Sequence, residues 1–283
     1  MELKDIIVIY HDQCSDGHGA AYAAWKKFGD SASYVPLKAG ADAPVIVDKE
    51  LYIVDFSFDF DTLTKLKAEN KSVVVIDHHL SAKDAVTAFP ENIFDMEHSG
   101  AVLAWRYFHP GTTTPPLLEY VEDHDIWKFA LENNREFNAA LGQYAITFQS
   151  WDNLIEKLKD KTFYTEFIKT GATIATFEDK LVQNLLSYKE PVQFEGHTVY
   201  VLNVSRTYRS ILGHHLAKLS EQDFGTALGI VYYRNLGGVN ISLRSEGDVD
   251  VSVIAQKYGG GGHKHAASIR VSDFSKLPFT FLS

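Results

Sequence analysis

A single cysteine, Cys14, among 283 residues excludes a disulfide framework, so the chain must fold on its apolar core, and a reducing cytoplasm is the expected compartment. Long apolar runs are also missing. No stretch approaches the ~20 residues that span a bilayer, and no basic flank precedes an apolar run near the N-terminus, so neither a membrane nor a secreted protein is expected. Cationic charge is scarce: 27 Lys and Arg against 37 Asp and Glu leave −10, which argues against wrapping long duplex DNA on a basic surface. The deficit is uneven. From Pro191 onward nine basic residues face seven acidic ones, leaving 18 against 30 in the first 190. An acidic segment that handles an anion needs cations, and bound metal is one source; a solvated acidic face is the plainer alternative. At 45% hydrophobic, the chain has apolar material for two domains.

Three short apolar runs in the first third share one form. Ile6 to Tyr10 is followed by His11, Leu51 to Val54 by Asp55, and Val73 to Ile76 by Asp77-His78-His79. β-branched runs without alternation suit strands buried on both faces of a parallel sheet. Helical stretches lie between them, Gly19 to Phe28 and Asp59 to Glu69, the second opening on an Asp suited to an N-cap. This βαβα order predicts an α/β domain with a doubly wound, mainly parallel sheet. Ligands of such sheets bind at the carboxyl edge of the strands, where His11, Asp16, Asp55, Asp77, His78 and His79 would converge.

After Ser99 the pattern turns helical, over Ser99 to Tyr107, Pro116 to Glu122, Asp152 to Leu158 and Tyr164 to Tyr188. Pro191 ends the last of these. Beyond it short strands (Val199 to Leu202, Ala227 to Tyr233, Val239 to Leu243, Ala267 to Val271) surround helices at Arg209 to Leu219 and Val249 to Tyr258. The expected organisation is a catalytic domain over 1–150, a helical connector over 151–190 and a smaller mixed α/β domain over 191–283.

Metal-assisted hydrolysis needs carboxylates and neutral imidazoles aimed at one or two divalent ions. One Asp or His after a strand usually serves a turn or cap; three strands that each deliver such residues point to a metal site. Cys14 lies in the same loop without a His at a recognised nucleophile spacing.

Asp77-His78-His79 after a strand, together with the run Gly259-Gly260-Gly261-Gly262-His263-Lys264-His265-Ala266-Ala267-Ser268, resembles the two signatures of the DHH phosphoesterases that carry a DHH-associated C-terminal domain. The order of motifs matches over essentially the whole chain. That family includes nanoRNases, bisphosphonucleotide phosphatases, cyclic-dinucleotide phosphodiesterases and RecJ-like exonucleases. The resemblance implies a phosphoester hydrolase using two divalent ions, Mn²⁺ first, with Mg²⁺, Co²⁺ or Zn²⁺ as alternatives. It implies His11 and Asp16 as ligands, Asp55 as the bridging carboxylate, His78 as a second-metal ligand and His79 facing the scissile phosphate. It also makes Asp77 an acid that orients an imidazole. His18 stands where the family has a second Asp, and either ligates metal or caps the following helix. The last family carboxylate is Asp123 or Asp125; spacing does not choose, and Trp127 beside them reads as core. Ser99 either lies near substrate or N-caps the next helix.

In the C-terminal region Gly260, Gly261 and Gly262 with His263 are expected to hold phosphate through backbone N–H groups. The resemblance adds Arg244, whose forked guanidinium suits phosphate, and Arg209. The expected substrate is a short oligonucleotide or small nucleotide held between two domains, in a monomer or homodimer. Alternatives are an exopolyphosphatase or pyrophosphatase, and a nucleotide-sensing module without activity.

Overall fold

The computed structural model describes residues 3–12, 14–38 and 40–282, with the side chain of His263 outside the described set. The chain divides into two compact units, Met1–Thr176 and Phe177–Ser283.

In the N-terminal unit five parallel strands, β1 (Ile6–His11), β2 (Ala32–Leu37), β3 (Glu50–Val54), β4 (Ser72–Asp77) and β5 (Asn92–Phe94), lie in the order β2-β1-β3-β4-β5. Their apolar runs are buried from both sides, as parallel strands require. Ile7, Ile9, Leu51, Ile53, Val73 and Val75 face one way, with Leu63 and Leu66 of α2 (Phe60–Glu69) and Val86 of α3 (Lys83–Ala88). Val8, Val54 and Ile76 face the other way, in a core shared with α1 (Ser15–Phe28), α4 (Gly100–Phe108) and α5 (Pro116–Asp125). Each fully buried Ile or Leu of these strands contributes roughly 1.5–3 kcal/mol of apolar transfer. Ala20, Ala21, Ala23 and Ala24 give α1 a small-residue face that lets it press closely onto the sheet and α4. The strand order reverses at β1, and in open α/β sheets ligands settle at the carboxyl edge beside such a reversal.

The helical stretch after α5 does not form a separate connector. α6 (Asn134–Leu141), α7 (Phe148–Lys157) and the start of α8 (Lys161–Leu186) place Phe137, Trp151, Leu154 and Phe167 in the core of the N-terminal unit. The division falls inside α8, earlier than Pro191, because Val182 and Leu186 pack with Leu212 and Leu216 of α9 (Arg209–Phe224). Pro191 lies within a strand, its fixed φ being compatible with extended backbone.

The C-terminal unit is built on a seven-stranded mixed sheet. Its strands are β6 (Glu190–Phe194), β7 (His197–Asn203), β8 (Leu228–Asn235), β9 (Gly238–Ser245), β10 (Gly261–His263), β11 (Ala266–Val271) and β12 (Thr280–Phe281), in the order β10-β11-β9-β8-β7-β6-β12. Among the described residues of this sheet only β7 and β8 pair in parallel, and α9 makes the crossover between them. A short helix, α10 (Val251–Lys257), packs Val251 and Ala255 into the sheet core. Among the described residues no helix is long and apolar enough to cross a membrane.

Candidate metal centre

Three strand ends build the centre. His11 closes β1, Asp77 closes β4, and Asp55 directly follows β3. Asp55 has φ 51°, a left-handed conformation that Asp tolerates better than most side chains. Its N–H donates to the Ile76 carbonyl at 2.9 Å, which ties the turn to β4. The start of α4 lies against this turn: a Cβ on residue 100 would sit 2.5 Å from the Asp55 Cβ, so only glycine permits the approach.

The two carboxylate oxygens of Asp55 face different partners. Oδ2 lies 3.6 Å from His11 Nδ1, and Oδ1 lies 3.2 Å from His78 Nε2. His78 Nε2 is also 3.5 Å from Asp16 Oδ2 and 3.5 Å from Asp125 Oδ2. None of these approaches has hydrogen-bond alignment for Asp55 or for His78 Nε2, and both oxygens of Asp55 are buried without a hydrogen-bond partner. Asp16 differs, because its oxygens accept from the N–H groups of Gly100 (2.7 Å) and Ala101 (3.0 Å) and so anchor the first turn of α4. Asp77 Oδ1 accepts from the backbone N–H of His78 (2.8 Å) and pairs with His79 Nδ1 at 2.7 Å.

Asp16, Asp55 and Asp77 are each only 1% exposed. Carboxylates this deep are stable when neutralised, paired or bound to a cation. Burial and the Asp16 charge push the Asp55 carboxyl well above the usual range. The same two causes bring Asp125 up to about 7. Burial, helped by His79, pushes His11 down. Burial also opposes the charge of His79, but the Asp77 hydrogen bond and the charges of Asp55 and Asp77 outweigh it and raise its pKa to about 9. Among the described residues three ligand groupings have donor atoms within 4.8 Å of one another: Asp55, Asp77, His78 and His79; His11, Cys14 and Asp55; Asp16, His78 and Asp125. Oxygen donors mixed with imidazole suit a borderline divalent cation, and orphaned lone pairs on Asp55 and His78 are what such an ion would satisfy. Burial raises the pKa of the Cys14 thiol, with Asp55 and Asp16 adding to the effect, so it is not an activated nucleophile.

Several expected residues lie elsewhere. His18 is not with the cluster: its ring stacks on Phe148 (4.9 Å between centroids) and meets Trp151 edge-on (4.7 Å), with a hydrogen bond to the Thr147 backbone. It sits one helical turn past the loop, so its side chain enters the aromatic core. Asp123 is turned from the cluster too. Its carboxylate accepts from Ala130 N–H, Leu131 N–H and Asn134 Nδ2 (2.8, 3.1 and 2.7 Å), leaving Asp125 as the acid that reaches His78. Ser99 is fully buried and caps α4, its Oγ accepting from Val102 N–H. Trp127 is not core but 55% exposed. Glu122 was not singled out by the sequence; it accepts from Ser99 N–H at 2.9 Å and pairs with His98. Its place one turn before Asp125 was the only available signal.

In the C-terminal unit Arg244 on β9 donates to Ser210 Oγ (3.0 Å) and the Leu243 carbonyl (2.9 Å). Burial and the Arg209 charge lower it to about 10. Arg209, at the start of α9, is lowered by burial and Arg206, so like charges gather around one helix N-terminus, an arrangement that attracts anions. Gly260 and Gly262 are required by close backbone packing. A Cβ on either would meet the β11 backbone, at 2.1 Å from the Ser268 carbonyl and 2.4 Å from that of Ala266, and Gly262 has φ 147°. Gly259 and Gly261 have open space. The backbone of His263 closes β10; the side chain expected to bind substrate lies outside the described residues.

Residues 198–279 match the DHHA1 domain family. Protein R106 of Acanthamoeba polyphaga mimivirus, uncharacterized, is 28% identical over 299 residues, 96% of this chain and 69% of its own length. Oligoribonuclease NrnB of Bacillus subtilis is 25% identical over 183 residues, 62% of this chain and 44% of that enzyme. A 3',5'-cyclic-nucleotide phosphodiesterase of Helicobacter pylori is 22% identical over 275 residues, 81% of this chain and 77% of the enzyme. The solved PF0399 DHH domain, a member of the S1p family of ribosomal proteins, shares the fold, with a TM-score of 0.56 at 14% identity over 99% of this chain and 83% of that one.

Proposed function

Since the chain belongs to the DHH family of phosphoesterases, we propose that it hydrolyses phosphodiester bonds of short oligonucleotides or small nucleotides with two divalent ions, Mn²⁺ first. The observation that carries this reading is the Asp55 carboxylate, deeply buried, with one oxygen toward His11 and the other toward His78. A carboxylate so placed suits a bridge between two cations. His11 stands on one side; His78, Asp16 and Asp125 stand on the other. A divalent cation there supplies Lewis acidity, neutralising phosphoryl charge and making water a better nucleophile.

The chain's own groups would do the rest. His79, held by Asp77, donates to a phosphoryl oxygen from a fixed ring orientation. The turn at Asp55, locked to β4 and α4, fixes the spacing of the donors before substrate arrives, which is where positional precision contributes most. Arg244 and Arg209 serve as the anion grip of the C-terminal unit. Scarcity of basic residues elsewhere favours small substrates over long duplexes.

A panel of diadenylate, cyclic dinucleotides, adenosine bisphosphate and polyphosphate, incubated with Mn²⁺ and with EDTA, tests the reading. Cleavage of a nucleotide phosphoester that stops in EDTA is expected. Consumption of polyphosphate alone, or cleavage indifferent to EDTA, would overturn it.

A further inference from the structure

α5 ends at Asp125, and the chain then enters a loop that shows two large aromatic rings to solvent. Trp127 is 55% and Phe129 45% exposed. Their rings stand at 90° with centroids 5.3 Å apart, and Phe129 meets His124 edge-on at 5.4 Å. Both residues are left-handed, at φ 57° and 47°, as is Asn133 at 57°. Bulky side chains avoid that region, and such outliers persist only where the surroundings impose them.

Here the Trp127 N–H donates to the His124 carbonyl at 3.3 Å, and Asp123 ties down the residues that follow. The Asp123 carbonyl accepts from Lys128 and Phe129 N–H (3.0 and 3.1 Å), while its carboxylate holds Ala130, Leu131 and Asn134. Asp123 is thus a brace for the loop, buried to 5% exposure. The loop begins beside the chemistry: Asp125 Oδ2 is 3.5 Å from His78 Nε2, and two residues of chain reach at most about 7 Å. That is the scale of one nucleotide.

We propose that Trp127 and Phe129 form a stacking corner for one nucleobase of the substrate, beside the phosphate-handling cluster. This rests on the phosphodiesterase reading and names what the enzyme grips besides phosphate. A flat ring against a flat ring fits every base, since each has a π-face, so the corner confers affinity for nucleotides without base specificity. An inorganic polyphosphate has nothing to place there.

The test uses the full-length protein with Mn²⁺ and two substrates, diadenylate and the same phosphodiester linking two abasic sugars. Trp127→Ala is expected to raise KM for diadenylate by about 5- to 150-fold, the range of one lost stacking contact, with kcat little changed. Trp127→Leu, equally apolar but without a π-face, should match it, whereas Trp127→Phe should stay near wild type. The abasic substrate should not distinguish the variants. In EDTA, adenosine monophosphate should quench tryptophan fluorescence in wild type and not in Trp127→Phe, because of the other three tryptophans Trp105 and Trp151 are buried and the half-buried Trp25 packs against Tyr22 and Phe148. An equal loss on both substrates, or an unchanged KM for diadenylate in both Trp127→Ala and Phe129→Ala, would overturn the stacking corner while leaving the hydrolase reading intact. Wild type that cleaves neither substrate would overturn that reading, and the corner with it.

Discussion

A neutral imidazole packed between Phe148 and Trp151 makes His18 a source of acid lability. Burial lowers its pKa to about 4 from the ordinary 6.5. Below pH 6.5 the unfolded chain therefore binds a proton that the folded chain refuses; stability is complete above that pH and falls as pH drops toward 4. The loss between pH 7 and pH 5 is about 2 kcal/mol. Denaturant unfolding in EDTA at the two pH values should show it in wild type and not in His18→Phe, and identical pH dependence in the two proteins would contradict the placement. His18 also marks a limit of legibility. His11, Asp55, Asp77, His78 and His79 could be read because each follows a buried strand directly, and chain direction alone sends them to one edge. The direction of His18 depends on Phe148 and Trp151, about 130 residues away in sequence. Asp123 and Asp125 differ only in which side of the end of α5 they occupy, and no local signal encodes that.

α4 starts under two caps, the Ser99 hydroxyl and the Asp16 carboxylate. The Ser99 bond is long, at 3.4 Å to Val102 N, so Ser99→Ala should cost about 0.5–1 kcal/mol, the low end for an N-cap. Thermal or denaturant unfolding reads this cost, and KM should be unchanged. A KM that rises severalfold without loss of stability would return Ser99 to the substrate. The strands that could be read were those with long β-branched runs. β2 was hidden because Pro36 interrupts it, and β5 because three residues at a sheet edge carry no periodicity. α6 was hidden because it follows a left-handed Asn133 instead of an N-cap side chain. The end of α8 was legible to within two residues, but the division between the units falls earlier, inside the helix, because proline marks where a helix cannot continue, not where a core changes owner.

Over the whole molecule the charge is partitioned, with the acidic deficit before Pro191 and a slight basic excess after it. Chemistry would belong to the acidic part with its cations and anion grip to Arg244. Arg244→Ala removes a charge-assisted contact of roughly 1.5–3 kcal/mol. It should raise KM for diadenylate about 10- to 100-fold with kcat nearly constant. A nitrophenyl phosphodiester, which offers no second nucleotide to grip, should be hydrolysed as well as by wild type. Loss confined to kcat, or equal loss on both esters, would place Arg244 at the reacting phosphate.

The most direct test of the Asp55-centred account is turnover of diadenylate in Mn²⁺ by Asp55→Asn. The substitution keeps the shape of the side chain and removes a buried charge that Asp16 repels, so the folded protein in EDTA should unfold at the same temperature as wild type or higher. Turnover should nonetheless fall by roughly a thousandfold or more, because two cations would lose their shared anion. Near-normal turnover in a folded Asp55→Asn protein would contradict the account.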